Sequence, residues 1–267
     1  MAAERSKQKK ETPREGYFET FKALLIAVAL ALIIRSFVVE PFKIPSGSMI
    51  PTLLVGDYLL VNKFGYGIRL PITGTLLVPL GEPKRGDVIV FRYPDDPRQD
   101  FIKRLVGLPG DRVELREQRV WVNGTLVDRV AEGEFVYRDL ARHRDVHAQR
   151  YREINPEGVE YTILHSPGAR LARARGPWIV PPGEYFMMGD NRDNSRDSRA
   201  WNDSYVRADQ IKGRAFMLHW SWLVSSERTQ TRGFVADFFY TLYRVVTFQV
   251  EEIRWSRIGR SVAGVAD

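Results

Sequence analysis

Apolar positions along this chain follow two rhythms. Between Ala23 and Ile34 they form an uninterrupted run, preceded by a polar stretch that carries Lys7, Lys9, Lys10 and Arg14. That run alone falls short of the roughly 20 residues a membrane span needs. Counted outward from Gly16 through Val39, with Lys22 and Arg35 extending their charges toward the two interfaces, it reaches spanning length. The pattern predicts a retained anchor over 23–39, not a cleaved signal, behind a basic tail at 1–22. The positive-inside tendency keeps that tail cytoplasmic and puts everything after Glu40 on the far side, against the pull of Arg35 and Lys43.

Beyond residue 40 the rhythm is that of strands. Tyr58–Asn62, Val88–Phe91, Phe101–Val106, Val113–Leu115 and Val120–Val122 are short, rich in β-branched and aromatic residues, and bounded by glycine, proline or aspartate. They predict a core that is all-β or nearly so. Asn123-Gly124 is the strongest turn signal, and the flanking Arg119–Val122 and Thr125–Val127 suit a hairpin. Gly86-Asp87 and Gly110-Asp111 mark turns that open strands. From about Ala131 to Gly176 arginine, glutamate and histidine take over with weak periodicity, as in an insertion packed on a better-defined core. Residues 184–190 return to a buried pattern, and Gln210–Trp222 supplies a closing strand or two. The Phe234–Val250 stretch is apolar but interrupted by Asp237 and Arg244, which suits an interfacial or partly buried helix better than a second span.

Composition narrows the partners. A formal net charge of +7 admits nucleic acid or an anionic membrane surface. The arginines are scattered, however, and neither zinc-finger spacing nor an aromatic RNA-binding motif is present, so nucleic acid is not expected. With no cysteine, disulfides, thiol nucleophiles and thiolate metal sites are excluded.

Two segments offer a serine and a lysine. Ser48 sits in Ile44-Pro-Ser-Gly-Ser-Met-Ile-Pro-Thr-Leu53, where two prolines and a glycine hold a sharply turned backbone. The segment alone reads equally as a linker or as a site that aims a hydroxyl and amide groups at one point. A serine hydroxyl needs a base to attack at neutral pH, and a desolvated lysine can serve. In Phe101-Ile-Lys-Arg-Leu105 a strand gives Lys103 apolar neighbours on its own face, although both faces are equally apolar and solvent exposure of the amine stays open. Lowering a lysine from about 10.4 to about 7.5 takes roughly 4 kcal/mol, within the range of buried lysines.

A third segment, Gly189–Arg199, is dense in turn formers and alternating charges. Asp190, Asp193 and Asp197 supply the hard oxygens a calcium loop needs. Three arginines offset that charge and the EF-hand spacing is missing, so a network of Asp–Arg pairs fits better, with Ser195 free to orient a neighbour. Histidine chemistry is poorly supported. No serine lies in a Gly-x-Ser-x-Gly elbow near His143, His147, His165 or His219, and the four-residue spacing of His143 and His147 lacks the His-Glu-x-x-His pattern of a metal site. No glycine loop of the phosphate-binding kind follows a predicted strand.

Together, Pro45–Leu53, Phe101–Asp111 and Gly189–Arg199, in this order, resemble the signature boxes of bacterial type I signal peptidases. The resemblance extends to the preceding anchor, the Val120–Gly124 hairpin and Arg254–Arg260. It implies a mainly β fold: an antiparallel catalytic core from 40–110 and 185–225, with a β-rich subdomain inserted at 111–184. An N-terminal transmembrane helix would tether it, and 226–267 would form a C-terminal membrane-associated segment. It also implies an endopeptidase of the bacterial cytoplasmic membrane, facing outward into the periplasm; several Gram-negative members of the family have two membrane segments, whereas the residues here predict one, hence a single pass. Such an enzyme removes signal peptides from exported precursors after small residues, without cofactor or metal. By position in the boxes, Ser48 would be the nucleophile and Lys103 the general base. Ser46 would join the Ser48 amide in the oxyanion hole, Ser195 would orient the lysine amine, and Asp197 and Arg199 would brace the loop.

Overall fold

In a computed structural model, described over residues 13–33, 39–69, 76–140, 142–167, 175–223, 243, 247 and 252–262, the short apolar runs pair edge to edge into sheets. In chain order the first strands are β1 (Val39–Lys43), β2 (Asp57–Asn62), β3 (Ile68–Arg69), β4 (Leu76–Val78), β5 (Val88–Tyr93) and β6 (Asp96–Gly107). There follow β7 (Arg112–Arg116), β8 (Arg119–Val122), β9 (Thr125–Leu126), β10 (Asp128–Asp139), β11 (Arg144–Ile154), β12 (Glu160–His165) and β13 (Arg175–Ile179). The last are β14 (Glu184–Met188), β15 (Val206–Arg207), β16 (Ile211–Leu223) and β17 (Glu252–Ile253). The named strands pair antiparallel throughout, so the fold is mainly antiparallel β.

The principal sheet runs β1-β2-β16-β5-β6-β14-β15, with β17 on β16. Its centre is apolar on both faces, which is why Val88–Phe91 reads as an unbroken apolar run and not as an alternation. Val88 and Val90 pack on one side with Met49, Leu53, Leu59 and Leu218, while Ile89 and Phe91 pack on the other with Leu105, Met187 and Trp201. Pro41 is tolerated because β1 lies at the sheet edge, where a missing N–H breaks no central ladder.

The chain leaves this sheet after β6 and returns at β14. In between it builds a sheet ordered β13-β7-β8-β9 and another ordered β10-β11-β12. The hairpin at Asn123-Gly124 has the expected form, with positive φ at both turn residues and Val122 opposite Thr125. A second two-residue turn, Glu117-Gln118, also has positive φ at both positions and carries no glycine to announce it. The weakly periodic stretch after Ala131 contains the long, paired strands β10 and β11. Much of both strands is exposed, Val130 and Val136 included, and ion pairs such as Arg152–Glu160 lie between strands, so burial imposes no alternation on the sequence.

At the N-terminus, helix α1 spans Pro13–Ile33, beginning ten residues before the expected anchor. Val39, the last residue assigned to that anchor, instead belongs to β1 opposite Asn62. Among the described residues no helix is long and apolar enough to cross a membrane. The large apolar side chains of α1, from Tyr17 through Val28, are exposed. The expected helix over Phe234–Val250 lies outside the described residues, apart from Tyr243 and Thr247.

The segment after it closes the core. Asp57 is fully buried and accepts bonds from Ser221 Oγ at 2.6 Å, the Leu54 amide at 2.8 Å and Arg257 Nη2 at 2.5 Å, with Arg254 Nη2 at 3.3 Å. Removing one member of a buried charge cluster strands the others without partners. Asp57→Ala should therefore lower unfolding stability by about 3 kcal/mol in denaturant titration, with Asp57→Asn intermediate because it keeps an acceptor for Ser221.

Candidate active site

The Ser48 segment is pinned by its apolar residues. Met49 and Leu53 are fully buried in the core, and Ile50 seats between Tyr137 and Leu164, so the intervening backbone has little freedom. Gly47–Met49 form one 3-10 turn, entered through an extended Ser46. Ser48 is only 8% exposed, Ser46 is exposed, and their hydroxyls lie 3.5 Å apart.

Lys103 reaches that turn from the middle of the sheet. It stands on β6 opposite Ile89 of β5, is 4% exposed, and holds Nζ 2.7 Å from Ser48 Oγ and 2.9 Å from the carbonyl of Ile102. Burial pushes its amine down to about 8 against the opposing pull of Asp197 and Asp190, and Arg199 adds a smaller push in the same direction. The two candidates, 55 residues apart in sequence, therefore form one buried pair whose nitrogen sheds its proton at about pH 8.

The same strand carries a second buried cation on its other face. Arg104 is 1% exposed and grips Asp190 with Nε at 2.7 Å and Nη2 at 2.6 Å, while Nη1 donates to the Gly86 carbonyl at 2.7 Å. Thr52, four residues past Ser48, donates its hydroxyl to Asp190 at 2.5 Å. Asp190 thus joins the strand bearing Lys103 to the segment bearing Ser48. Neither Thr52 nor Arg104 stands out in the sequence as a site residue, and Asp190 does so only as a candidate calcium oxygen or Asp–Arg network member, although all three lie inside its motifs.

Around the rest of the Gly189–Arg199 loop, Asp197 is fully buried and accepts from Arg199 Nε at 2.8 Å and Nη2 at 2.7 Å, and from the Gly189 amide at 2.9 Å. Burial alone would raise its carboxyl, but Arg199 and these bonds outweigh it and hold the group below the usual range. Arg192 pairs with buried Glu153, and Asp193 with His165 at 3.1 Å. The expected Asp–Arg pairing inside the loop holds for Asp197 and Arg199. Asp190, Arg192 and Asp193 reach outward to β6, β11 and β12, and Arg196 to Asp95 in the turn between β5 and β6.

The bonds of Lys103 go to Ser48 and Ile102, and Ser195 Oγ is buried with no partner at hydrogen-bond geometry among the described residues. The hydroxyl instead lies near Asp197, where it helps hold that carboxyl down. The histidines lie elsewhere: His143 is in the turn between β10 and β11, and His147 faces Glu134 at 2.6 Å on the exposed hairpin, so no helix aligns them.

A buried hydroxyl bonded to a buried lysine of depressed pKa is the equipment of a peptidase that does without histidine. The chain belongs to the signal peptidase family, peptidase S26, whose model matches residues 17–220. It is 46% identical over 212 residues to the signal peptidase I of Pseudomonas aeruginosa, covering 75% of this chain and 72% of that one. To the signal peptidase I of Aquifex aeolicus it is 35% identical, covering 89% and 95% of the two chains.

Gly189 shows how closely the loop approaches the Ser48 turn. A Cβ there would lie 2.2 Å from Ser195 Oγ and 2.5 Å from the Ser48 carbonyl oxygen. Gly189→Ala must displace the Ser48 backbone, and a displacement of about 1 Å at a reacting group costs on the order of a hundredfold in rate. The expected result is a folded protein by circular dichroism with kcat down by about that factor.

Proposed function

We propose that this chain is a membrane-bound serine endopeptidase that removes N-terminal signal peptides from exported precursors after small residues of the Ala-x-Ala kind. Ser48 is the nucleophile and Lys103 the general base, and the observation that carries this is the 2.7 Å contact between Lys103 Nζ and Ser48 Oγ in a buried site. The neutral amine accepts the hydroxyl proton as Ser48 Oγ attacks the scissile carbonyl carbon. The resulting ammonium then protonates the departing amine of the mature chain, which leaves the signal peptide as an ester on Ser48. Water, deprotonated by the same amine, hydrolyses the ester and releases the signal peptide with a free carboxylate.

The oxyanion that develops on the way is met by the Ser48 amide and the Ser46 hydroxyl, which the extended backbone at Ser46 holds beside Ser48. Asp197 and Arg199 brace the loop that packs on Lys103, with Ser195 acting through Asp197. Strand β14 pairs with β6 only as far as Arg104, and beyond it no strand among the described residues takes that edge of Phe101–Lys103. An extended signal peptide adding there would present its carbonyl to Ser48 with main-chain bonds supplying affinity. Small side chains suit a strand whose neighbours are already packed.

The exposed apolar side chains of α1 and the basic residues before it support an anchor in the cytoplasmic membrane, crossing once with the catalytic part outside. They favour the division into tail and anchor, and the sheet order, in which the chain leaves the principal sheet after β6 and rejoins it at β14, favours a two-part core over 40–110 and 185–225 with an inserted 111–184 region. Carbonate washing should leave the full chain in the membrane fraction, and protease added to spheroplasts should digest the part beyond Glu40 while sparing the tail. Release by carbonate would overturn the anchor.

Kinetics on a purified precursor test the chemistry. Ser48→Ala and Lys103→Ala should each abolish cleavage, and the double variant should lose little more, because the two act as a unit. Since only the neutral amine is a base, kcat/KM should rise with pH to a plateau with a midpoint near the lysine's value of about 8. Ser46→Ala removes one of two oxyanion donors and should lower kcat by about a hundredfold to a thousandfold with KM nearly unchanged. A fully active, folded Lys103→Ala protein would refute the assignment.

A further inference from the structure

The Ser48 turn is short of internal bonds. Its only closure is the Ile50 amide on the Gly47 carbonyl at 3.3 Å, too long to fix the rotation that aims Ser48 Oγ at Lys103. Asn191 supplies what is missing. Its amide donates to the Ser48 carbonyl at 3.1 Å and its Nδ2 to the Gly47 carbonyl at 3.0 Å, so one residue grips two successive peptide planes. The Asn191 backbone is itself wedged against β12, since the Leu164 amide donates to the Asp190 carbonyl at 2.8 Å and the Arg192 amide to the Leu164 carbonyl at 3.0 Å.

The side chain of Asn191 needs a second constraint. Its Oδ1 is buried with no partner among the described residues, so the carboxamide orientation rests on its two Nδ2 bonds. One goes to Gly47. The other goes at 2.9 Å to the hydroxyl of Tyr137, a 9% exposed residue of β10 whose ring packs on Ile50. We infer that Tyr137 is a positioning residue for the Ser48 nucleophile: its hydroxyl fixes the Asn191 carboxamide, which in turn fixes the turn that carries Ser48. The hairpin that departs from the principal sheet thereby takes part in setting the geometry of the reaction. This rests on the reading of Ser48 and Lys103 given above.

Steady-state kinetics of the full chain in detergent, on a precursor with an Ala-x-Ala signal peptide, test it. Tyr137→Phe keeps the ring in its apolar seat and deletes only the acceptor. Its kcat should fall about five- to tenfold, the effect of one neutral hydrogen bond, while KM stays within about twofold. The pH midpoint should not move, because Asp197, Asp190 and Arg199 around Lys103 are untouched. Since Tyr137 acts through Asn191, adding Tyr137→Phe to Asn191→Ala should cost nothing further. Val120→Ala, a core truncation in the sheet of β8, should lower the melting temperature and leave kcat alone, which separates positioning from general stability.

If Tyr137→Phe does not fold, Asn191→Leu carries the same expectation of a kcat loss at constant pH midpoint, since it removes Nδ2 at similar shape and adds no charge near Lys103. A Tyr137→Phe kcat within about twofold of wild type, or losses that multiply in the double variant, overturns the inference. Active Ser48→Ala would instead sink the dyad reading. Inactive Ser48→Ala beside fully active Tyr137→Phe would sink the positioning role alone.

Discussion

Everything at this site depends on keeping one amine out of water. A lysine in solvent is protonated at neutral pH and is no base, whereas Lys103, enclosed between sheet and loop, is held down to about 8. That burial opposes folding. An amine that sheds its proton near 8 in the fold and near 10.4 in the unfolded chain binds fewer protons when folded, which costs about 3 kcal/mol at neutral pH. The cost is complete below about pH 8 and fades as pH climbs through the unfolded value. In the proposed dyad the burial that would make Lys103 a base is the same burial that opposes folding.

What holds the lysine in place is a second buried charge that is fully paired. Arg104 follows Lys103 directly on β6, so one register places both. Its two-pronged bond to Asp190, with Thr52 on the same carboxylate, locks strand, loop and the Ser48 segment together. Buried ion pairs lose most of their Coulomb gain to desolvation, so their value here lies less in net stability than in excluding alternative arrangements. Arg192–Glu153 and Asp197–Arg199 extend the same logic around the loop, and Asp57 with Arg254 and Arg257 extends it to the C-terminal segment. Asp197 and Arg199 are neighbours in one loop, but Asp190, Glu153 and Asp57 take partners from segments distant in sequence, which makes the arrangement cooperative and intolerant of partial loss.

Strand positions, the Asn123-Gly124 turn and the candidacy of Ser48 and Lys103 were legible because each is carried by a local pattern: β-branched runs, a left-handed dipeptide, a proline-flanked hydroxyl, a cation among apolar neighbours. The Glu117-Gln118 turn was not, because its residues are ordinary and only the pairing of β7 with β8 imposes positive φ on them. The long strands β10 and β11 left weak periodicity because much of their surface meets water. The face of β6 that would hold the lysine was undecidable from alternation, since Arg104 is buried as deeply as Lys103.

The sequence by itself determined the β class, the three motif segments and the chemical kinds of group available for reaction, since these follow from side-chain type and spacing of a few residues. Only the tertiary structure decided which groups meet. It brought Lys103 to Ser48 across 55 residues, directed Asp190 to Arg104, placed Ser195 near Asp197, and set Asn191 between Tyr137 and the Ser48 turn. Contacts of that range depend on register and sheet order. Those come from the burial of the whole core, and no local window of sequence contains it.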